Sequence, residues 1–415
     1  MILLCAWSLF GTKRAIQSMT LAVTIKFLNP AIYHFEPSFA LFAWGVLAVA
    51  GCRIIVDNLG RNGARNPITP WLVLYTVTIL VQSLLVSHQP TVSVFKLVSF
   101  AFMAFTVMTG FKLCARGSLD WTPWFVGLWT AVALLSMLTL LAPAVGYRVN
   151  GTGFQGILNH PQAFGVFMAP MVAWLTAQLW FSKGSNVYWI YVAVPAAWAL
   201  LLLSASRTAL LAVVAAFAIL VVVALVTRSK WRGSIGQALF RPATAVAAFV
   251  ALFLMTFHTD LLSDTAYRFL RKSNNTATLE ESFESSRGRG IAGQWRTFQT
   301  HPMFGIGFGV SLDPSFKPIL EPLTGLPISA PVEKGFLPTA VLEETGVLGA
   351  MIFVPLLLGL SILAVAKADD IALSSLFLTS IFVNAGEMIF FSAGGFGLYT
   401  WLMIGWATSS YWKRK

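Results

Sequence analysis

The stretch Thr208-ALLAVVAAFAILVVVALV-Thr227 carries no charged residue between its two threonines. At ~1.5 Å of rise per residue, a helix of this length crosses a ~30 Å hydrocarbon core. Without water to satisfy the backbone, a spanning segment of this kind closes its hydrogen bonds internally, so the run is read as a transmembrane helix. Comparable runs lie on both sides, near residues 15–33, 37–57, 70–87, 92–114, 121–145, 161–181, 187–204, 242–258, 336–366, 371–390 and 394–411. The predicted fold is therefore all-α, a polytopic membrane helix bundle of about twelve transmembrane helices with one large periplasmic loop. Composition agrees: the 415 residues are 57% hydrophobic and 11% charged, whereas soluble domains carry about 25% charged residues.

The charges between the runs orient the bundle. Arg61 and Arg65, Lys112 and Arg116, Lys183, the Arg228/Lys230/Arg232/Arg241 cluster, Lys367 and the terminal Lys413-Arg414-Lys415 fall on one side when the spans alternate. The positive-inside rule makes that side the cytoplasm and puts both termini there. The net charge of +12 is thus a topology signal, and no nucleic-acid partner is expected. The apolar opening 1–10 is followed by Lys13 and Arg14, the reverse of a cleavable signal peptide, and is expected to remain attached. Cys5, Cys52 and Cys114 are isolated, with no spacing that suits a metal.

Three regions follow: a transmembrane bundle of about nine helices over 1–258, a large periplasmic loop over 259–334, and about three further helices over 335–415. Inside the bundle, Lys26 and Lys96 sit near the outer ends of their spans. Each is either a snorkelling side chain or a functional group. Glu387 reads as mid-span, a costly position. Arg148, in GYRVNG, and Arg207, in SASRTA, are basic on the outer side, where they do not help insertion. A planar guanidinium at that boundary suits two phosphate oxygens at once. The five histidines, including His160 and His301, also fall at or beyond the outer boundary, where a group titrating near neutrality can serve as a base.

The outer loop carries Arg289-Gly-Ile-Ala-Gly-Gln-Trp-Arg296, followed by His301-Pro-Met-Phe-Gly-Ile-Gly-Phe-Gly309. This order resembles the O-antigen ligase and polymerase superfamily, in which an Arg and Trp segment leads into a Pro-x-x-Gly-x-Gly-x-Gly turn. Ser204-Ala-Ser-Arg-Thr208, Asn159-His-Pro-Gln162 and Leu342-Glu-Glu-Thr-Gly-Val-Leu-Gly349 resemble three further family segments. The glycines 305, 307 and 309 read in two ways. Lacking Cβ atoms, they either expose N–H groups to phosphate or sugar, or form a tight turn that docks the loop on the bundle.

The resemblance implies an inverting glycosyltransferase that needs no metal or cofactor. It would act at the periplasmic face on a glycan carried by undecaprenyl diphosphate, in the bacterial inner membrane. Arg148, Arg207, Arg289 and Arg296 would bind the diphosphate, Glu344 would orient an arginine, and a base would activate an acceptor hydroxyl on a glycan or on lipid A-core. The family's usual His-Asn pair is replaced here by Glu333-Lys334-Gly335-Phe336, which leaves Glu333, His160 and His301 as candidate bases. Ligase, O-antigen or exopolysaccharide polymerase, and protein glycosylation remain open by acceptor, and a lipid or sugar transporter is the rival from another class.

Overall fold

The computed structural model describes residues 1–34, 39–60, 66–149, 153–181, 188–226, 288–312, 334–366 and 370–412. Every regular element among these residues is helical. In chain order they are α1 (Ile2–Ser8), α2 (Thr12–Lys26), α3 (Phe39–Leu59), α4 (Thr69–Val86), α5 (Pro90–Arg116), α6 (Thr122–Leu138), α7 (Pro143–Gly146), α8 (Pro161–Phe181), α9 (Tyr188–Leu203), α10 (Arg207–Val226), α11 (Arg289–Thr300), α12 (Leu337–Ser361), α13 (Ile371–Phe382) and α14 (Phe396–Trp412).

Among the described residues, seven helices are long and apolar enough to cross a membrane: α3, α4, α5, α6 with the short 3₁₀ turn that follows it, α8, α10, and α12 with the π-turn that extends it. Two further apolar helices, 189–203 and 371–385, are shorter. The predicted span over 242–258, much of the predicted loop and the basic cluster after Val226 lie outside the described residues.

The centre of the bundle is α8, 78% buried along its spanning window and packed on α9, α10 and α13. Aromatic side chains fill the core beside it. Trp129 is hydrogen-bonded to the Tyr399 hydroxyl at 2.8 Å, and that hydroxyl donates to the Phe167 carbonyl at 2.9 Å. In this way three helices share one buried polar contact with every donor satisfied.

Two predicted spans end earlier than their hydropathy suggests. The run 121–145 is helical only to Leu138, passes through a 3₁₀ turn at Thr139–Leu141, and restarts at Pro143, whose ring removes the N–H a continuing helix would need. The run 371–390 leaves the helix after Ala385. There the Asn384 side-chain oxygen accepts from the backbone N–H groups of Ile389 at 3.1 Å and Phe390 at 2.7 Å. Glu387 is therefore in an irregular segment between α13 and α14, not in mid-helix.

The irregular segments gather at one end of the bundle. The Asn29 amide N–H donates to the Ile157 carbonyl at 2.8 Å, and that of Asn159 to the Phe27 carbonyl at 2.8 Å. Phe154 N–H likewise reaches Leu203 C=O at 2.8 Å, while Gly386 lies directly against Thr208. At the opposite end, Thr12 bonds the Asp57 carboxylate and Lys112 lies over the Trp412 ring at 4.7 Å.

Candidate functional site

The helix α12 is broken near its start. Gly346 has φ 60° and ψ −167°, so the chain leaves the helical path and resumes it one residue later. A break strands carbonyls on one side and N–H groups on the other, each costly in an apolar setting. The glycine turn of the loop satisfies both sets. Ile306 and Gly307 donate to the carbonyls of Glu343 and Glu344 at 3.0 Å each, and Val347 and Leu348 donate to the carbonyls of Pro302 and Met303 at 2.8 and 3.2 Å. The Gln82 side-chain amide joins the same seam, donating to the carbonyls of Phe304 and Thr345.

The turn requires its glycines for space and for φ. Gly305, Gly307 and Gly309 have φ of 62°, 107° and 74°, in the left-handed region that L side chains avoid. A Cβ on Gly309 would collide with Cδ of Lys96. The N–H groups of this turn are already used: Phe308 donates to Ser83 Oγ at 3.1 Å and Gly309 to Glu344 Oε2 at 2.7 Å. Of the two readings of the glycines, the geometry is that of the docking turn.

Under the turn lies a buried cluster of four charges. Lys334 Nζ donates to the Val310 carbonyl at 2.6 Å and pairs with Glu343 Oε2 at 2.9 Å and Glu344 Oε1 at 3.2 Å. Lys96 Nζ stands 3.8 Å from Glu344 Oε1 and 5.5 Å from the centre of the Phe308 ring. Two ammonium groups thus face two carboxylates, the neutral balance that makes buried charge tolerable. Lys96 turns inward to this cluster and not to lipid headgroups. Glu344 is partnered by lysines, where an arginine was expected. Lys26 also turns inward, donating to the Gly394 carbonyl beside Trp44.

The loop helix α11 rests on the first turns of α12. Gln294 is its one buried residue; the Gln294 amide donates to the Lys334 carbonyl at 2.6 Å, and its oxygen accepts from Thr339 Oγ1. At 3.6 residues per turn, Arg289 and Arg296 fall about 20° apart around the helix axis, opposite Gln294. Both are exposed, forming a paired cationic edge on the outward side of α11. Arg148 is exposed just after α7, and Arg207 is half-buried at the first position of α10. These two belong to adjoining segments, because Gly153 lies against the Ser204 carbonyl and Phe154 bonds Leu203. Arg289 and Arg296 thus share one edge of α11, and Arg148 and Arg207 lie on segments that meet at Phe154 and Leu203.

The two histidine candidates use Nδ1 differently. His160 Nδ1 accepts from the Gln162 N–H at 3.1 Å, capping the first turn of α8. Its neutral ring then carries the proton on Nε2 and offers no basic nitrogen there. Thr300 Oγ1 lies 2.8 Å from the Thr297 carbonyl and 2.9 Å from His301 Nδ1, an arrangement in which Nδ1 donates to Thr300 when the hydroxyl proton goes to the carbonyl. In that arrangement the lone pair is on Nε2 of an exposed ring. Glu333 lies outside the described residues. Among the described residues, no three His, Cys, Asp or Glu side chains gather as a metal site requires.

Sequence reasoning singled out the arginines, the glycine turn and Glu344, and missed the roles of Glu343, Lys334 and Gln294. A glutamate beside another at a helix entry was the available signal. Residues 190–354 match the family model described as O-antigen ligase; the segment runs from α9 through α10 and α11 into the second half of α12. The match supports the superfamily resemblance and an O-antigen ligase-like membrane glycosyltransferase activity. No curated protein matches the chain.

Proposed function

We propose that the chain transfers a glycan from undecaprenyl diphosphate to an acceptor hydroxyl, with inversion, at the periplasmic face of the inner membrane. One observation carries this reading: the loop segment bearing Arg289, Arg296 and His301 is fixed to the same end of the bundle at which Arg207 opens α10. In this reading the chain crosses about twelve times and residues 259–334 face the periplasm. A transferase for a lipid-borne donor needs its cations and its base together above the hydrocarbon boundary.

The lipid tail stays in the bilayer while its diphosphate meets the arginines, with Arg207 and Arg148 on one flank and Arg289 and Arg296 on the other. The acceptor hydroxyl gives its proton to Nε2 of His301. The acceptor oxygen bonds to the anomeric carbon as the glycosyl–phosphate bond breaks, and the lipid diphosphate leaves with its charge balanced by guanidinium groups. Glu344 holds the glycine turn, and through it the segment that carries His301. The acceptor is proposed to be lipid A-core, giving a ligase, with a second lipid-linked repeat, giving a polymerase, as the alternative.

Purified protein in detergent, supplied with a lipid-linked repeat unit and each acceptor in turn, tests the proposal. Single transfer to lipid A-core marks the ligase and long chains mark the polymerase. Absence of any turnover with both acceptors, together with donor movement across sealed vesicles, would replace the transferase by a transporter.

A further inference from the structure

Lys334 has contacts in three directions. Its ammonium holds the last carbonyl of the glycine segment, Val310, and the two carboxylates of α12, while its backbone carbonyl receives the amide of Gln294. Gln294 is the one residue that α11 buries, and its oxygen takes the hydroxyl of Thr339, one turn into α12. Among the described residues, α11 is also fastened just past its end, where the His301 carbonyl accepts from the Gly305 N–H at 2.9 Å and the Pro302 and Met303 carbonyls accept from Val347 and Leu348. Gln294 is the one buried side chain of α11 among the described residues, so its hydrogen bonds carry much of what fixes the helix's tilt. Its orientation therefore depends on the hydrogen bonds of Gln294, and those depend on where Lys334 is held.

We propose that Lys334 and Gln294 form a latch that positions α11, setting where Arg289, Arg296 and His301 stand relative to the membrane end of the bundle. Lys334 is a positioning residue in this proposal: its ammonium is spent on Val310, Glu343 and Glu344, and it acts through the helix it anchors. The charges explain why a lysine stands there. An ammonium that must reach a carbonyl and two carboxylates cannot leave without exposing two buried anions, so the latch stays closed. A neutral side chain at 334 would leave Glu343 and Glu344 facing Lys96 alone, with its nearest carboxylate oxygen 3.8 Å away. The inference rests on the transferase reading only for its catalytic consequence; the mechanical part stands on the contacts themselves.

Three variants of the full-length protein in nanodiscs separate the two parts: Lys334→Met, Lys334→Arg, and the double variant Gln294→Leu/Thr339→Val, which opens the latch without leaving a buried charge unpaired. Amide hydrogen exchange over residues 293–300 reports the anchoring. Donor turnover reports its consequence. The expected result is about tenfold faster exchange in α11 for Lys334→Met and for the double variant, with exchange in α8 unchanged, and near-normal exchange for Lys334→Arg. Turnover should fall about tenfold, mainly in kcat, in the variants whose α11 is loosened, and recover with arginine. Unchanged exchange in the double variant overturns the latch, whatever the activity. Faster exchange with undiminished turnover overturns the positioning role. Faster exchange in a preparation whose unaltered form transfers no glycan supports the latch and counts against the transferase reading.

Discussion

The backbone N–H of Gly309 donates to Oε2 of Glu344 at 2.7 Å, joining the last glycine of the loop turn to a carboxylate that is 1% exposed. The other oxygen of that carboxylate faces Lys334 at 3.2 Å. One side chain therefore fastens the turn to the bundle and balances the buried lysine. Removing it leaves two ammonium groups against Glu343 alone. Glu344→Ala is expected to lower stability by about 3–5 kcal/mol. Glu344→Gln, which keeps an oxygen for Gly309 but loses the charge, should cost less. Thermal unfolding of the purified proteins in one detergent compares them, and equal stability of both variants with the parent would contradict the cluster.

The glycines of the loop divide into two kinds, and substitution should separate them. Gly309 has φ 74° and no room for a Cβ against Lys96, so Gly309→Ala is expected to cost about 1–3 kcal/mol from backbone conformation and contact together. Gly293 is helical, with nothing within 4 Å of a built Cβ. There, alanine removes the helix penalty of glycine and should stabilise by up to about 1 kcal/mol. The opposite signs, read from the same melting experiment, check that the docking turn and not loop composition explains the glycines.

Hydropathy made the helical membrane fold legible because apolar length is a property of each segment by itself. The run after Arg207 is an uninterrupted helix, as its composition requires. What escaped it depends on partners far away in the chain. Whether Asn384 caps two N–H groups and ends a helix, or sits within one, turns on the packing of Phe390 and Phe391, both almost fully buried. The glycine spacing marked the turn, yet only its neighbours decide whether its N–H groups are free. They are taken by Glu343, Glu344 and Ser83. Lys96 was visible as an anomalous charge, but its direction was not, since a lysine at that depth reaches either headgroups or a buried carboxylate.

The orientation of the bundle makes a separate prediction. Arg289 and Arg116 lie at opposite ends: α11 rests on the start of α12, while Arg116 closes α5 on the side where Lys112 meets Trp412. In a background with Cys5, Cys52 and Cys114 replaced by serine, Arg289→Cys should react with a membrane-impermeant maleimide in cells with a permeabilised outer membrane. Arg116→Cys should react only after the inner membrane is opened. The reverse pattern would put the loop in the cytoplasm and remove the periplasmic transferase.

The two histidines make the sharpest comparison, because one uses its Nδ1 to cap a helix and the other stands exposed beside a threonine hydroxyl. His160 spends its Nδ1 lone pair on Gln162 N–H, a helix cap whose loss typically costs ~1 kcal/mol. His301 is exposed, with Nδ1 2.9 Å from Thr300 Oγ1 and no part in capping a helix. His301→Ala is therefore expected to leave the melting temperature nearly unchanged and to lower kcat by about 10²–10⁴, the contribution of a general base. His160→Ala should lower stability and retain turnover per folded molecule, and His160→Asn, which caps equally well, should restore the stability. Single-turnover rates on the detergent-purified variants, normalised to folded protein, read both effects. If His160→Ala abolishes turnover and His301→Ala does not, the base has been assigned to the wrong ring and the loop segment loses its place in the chemistry.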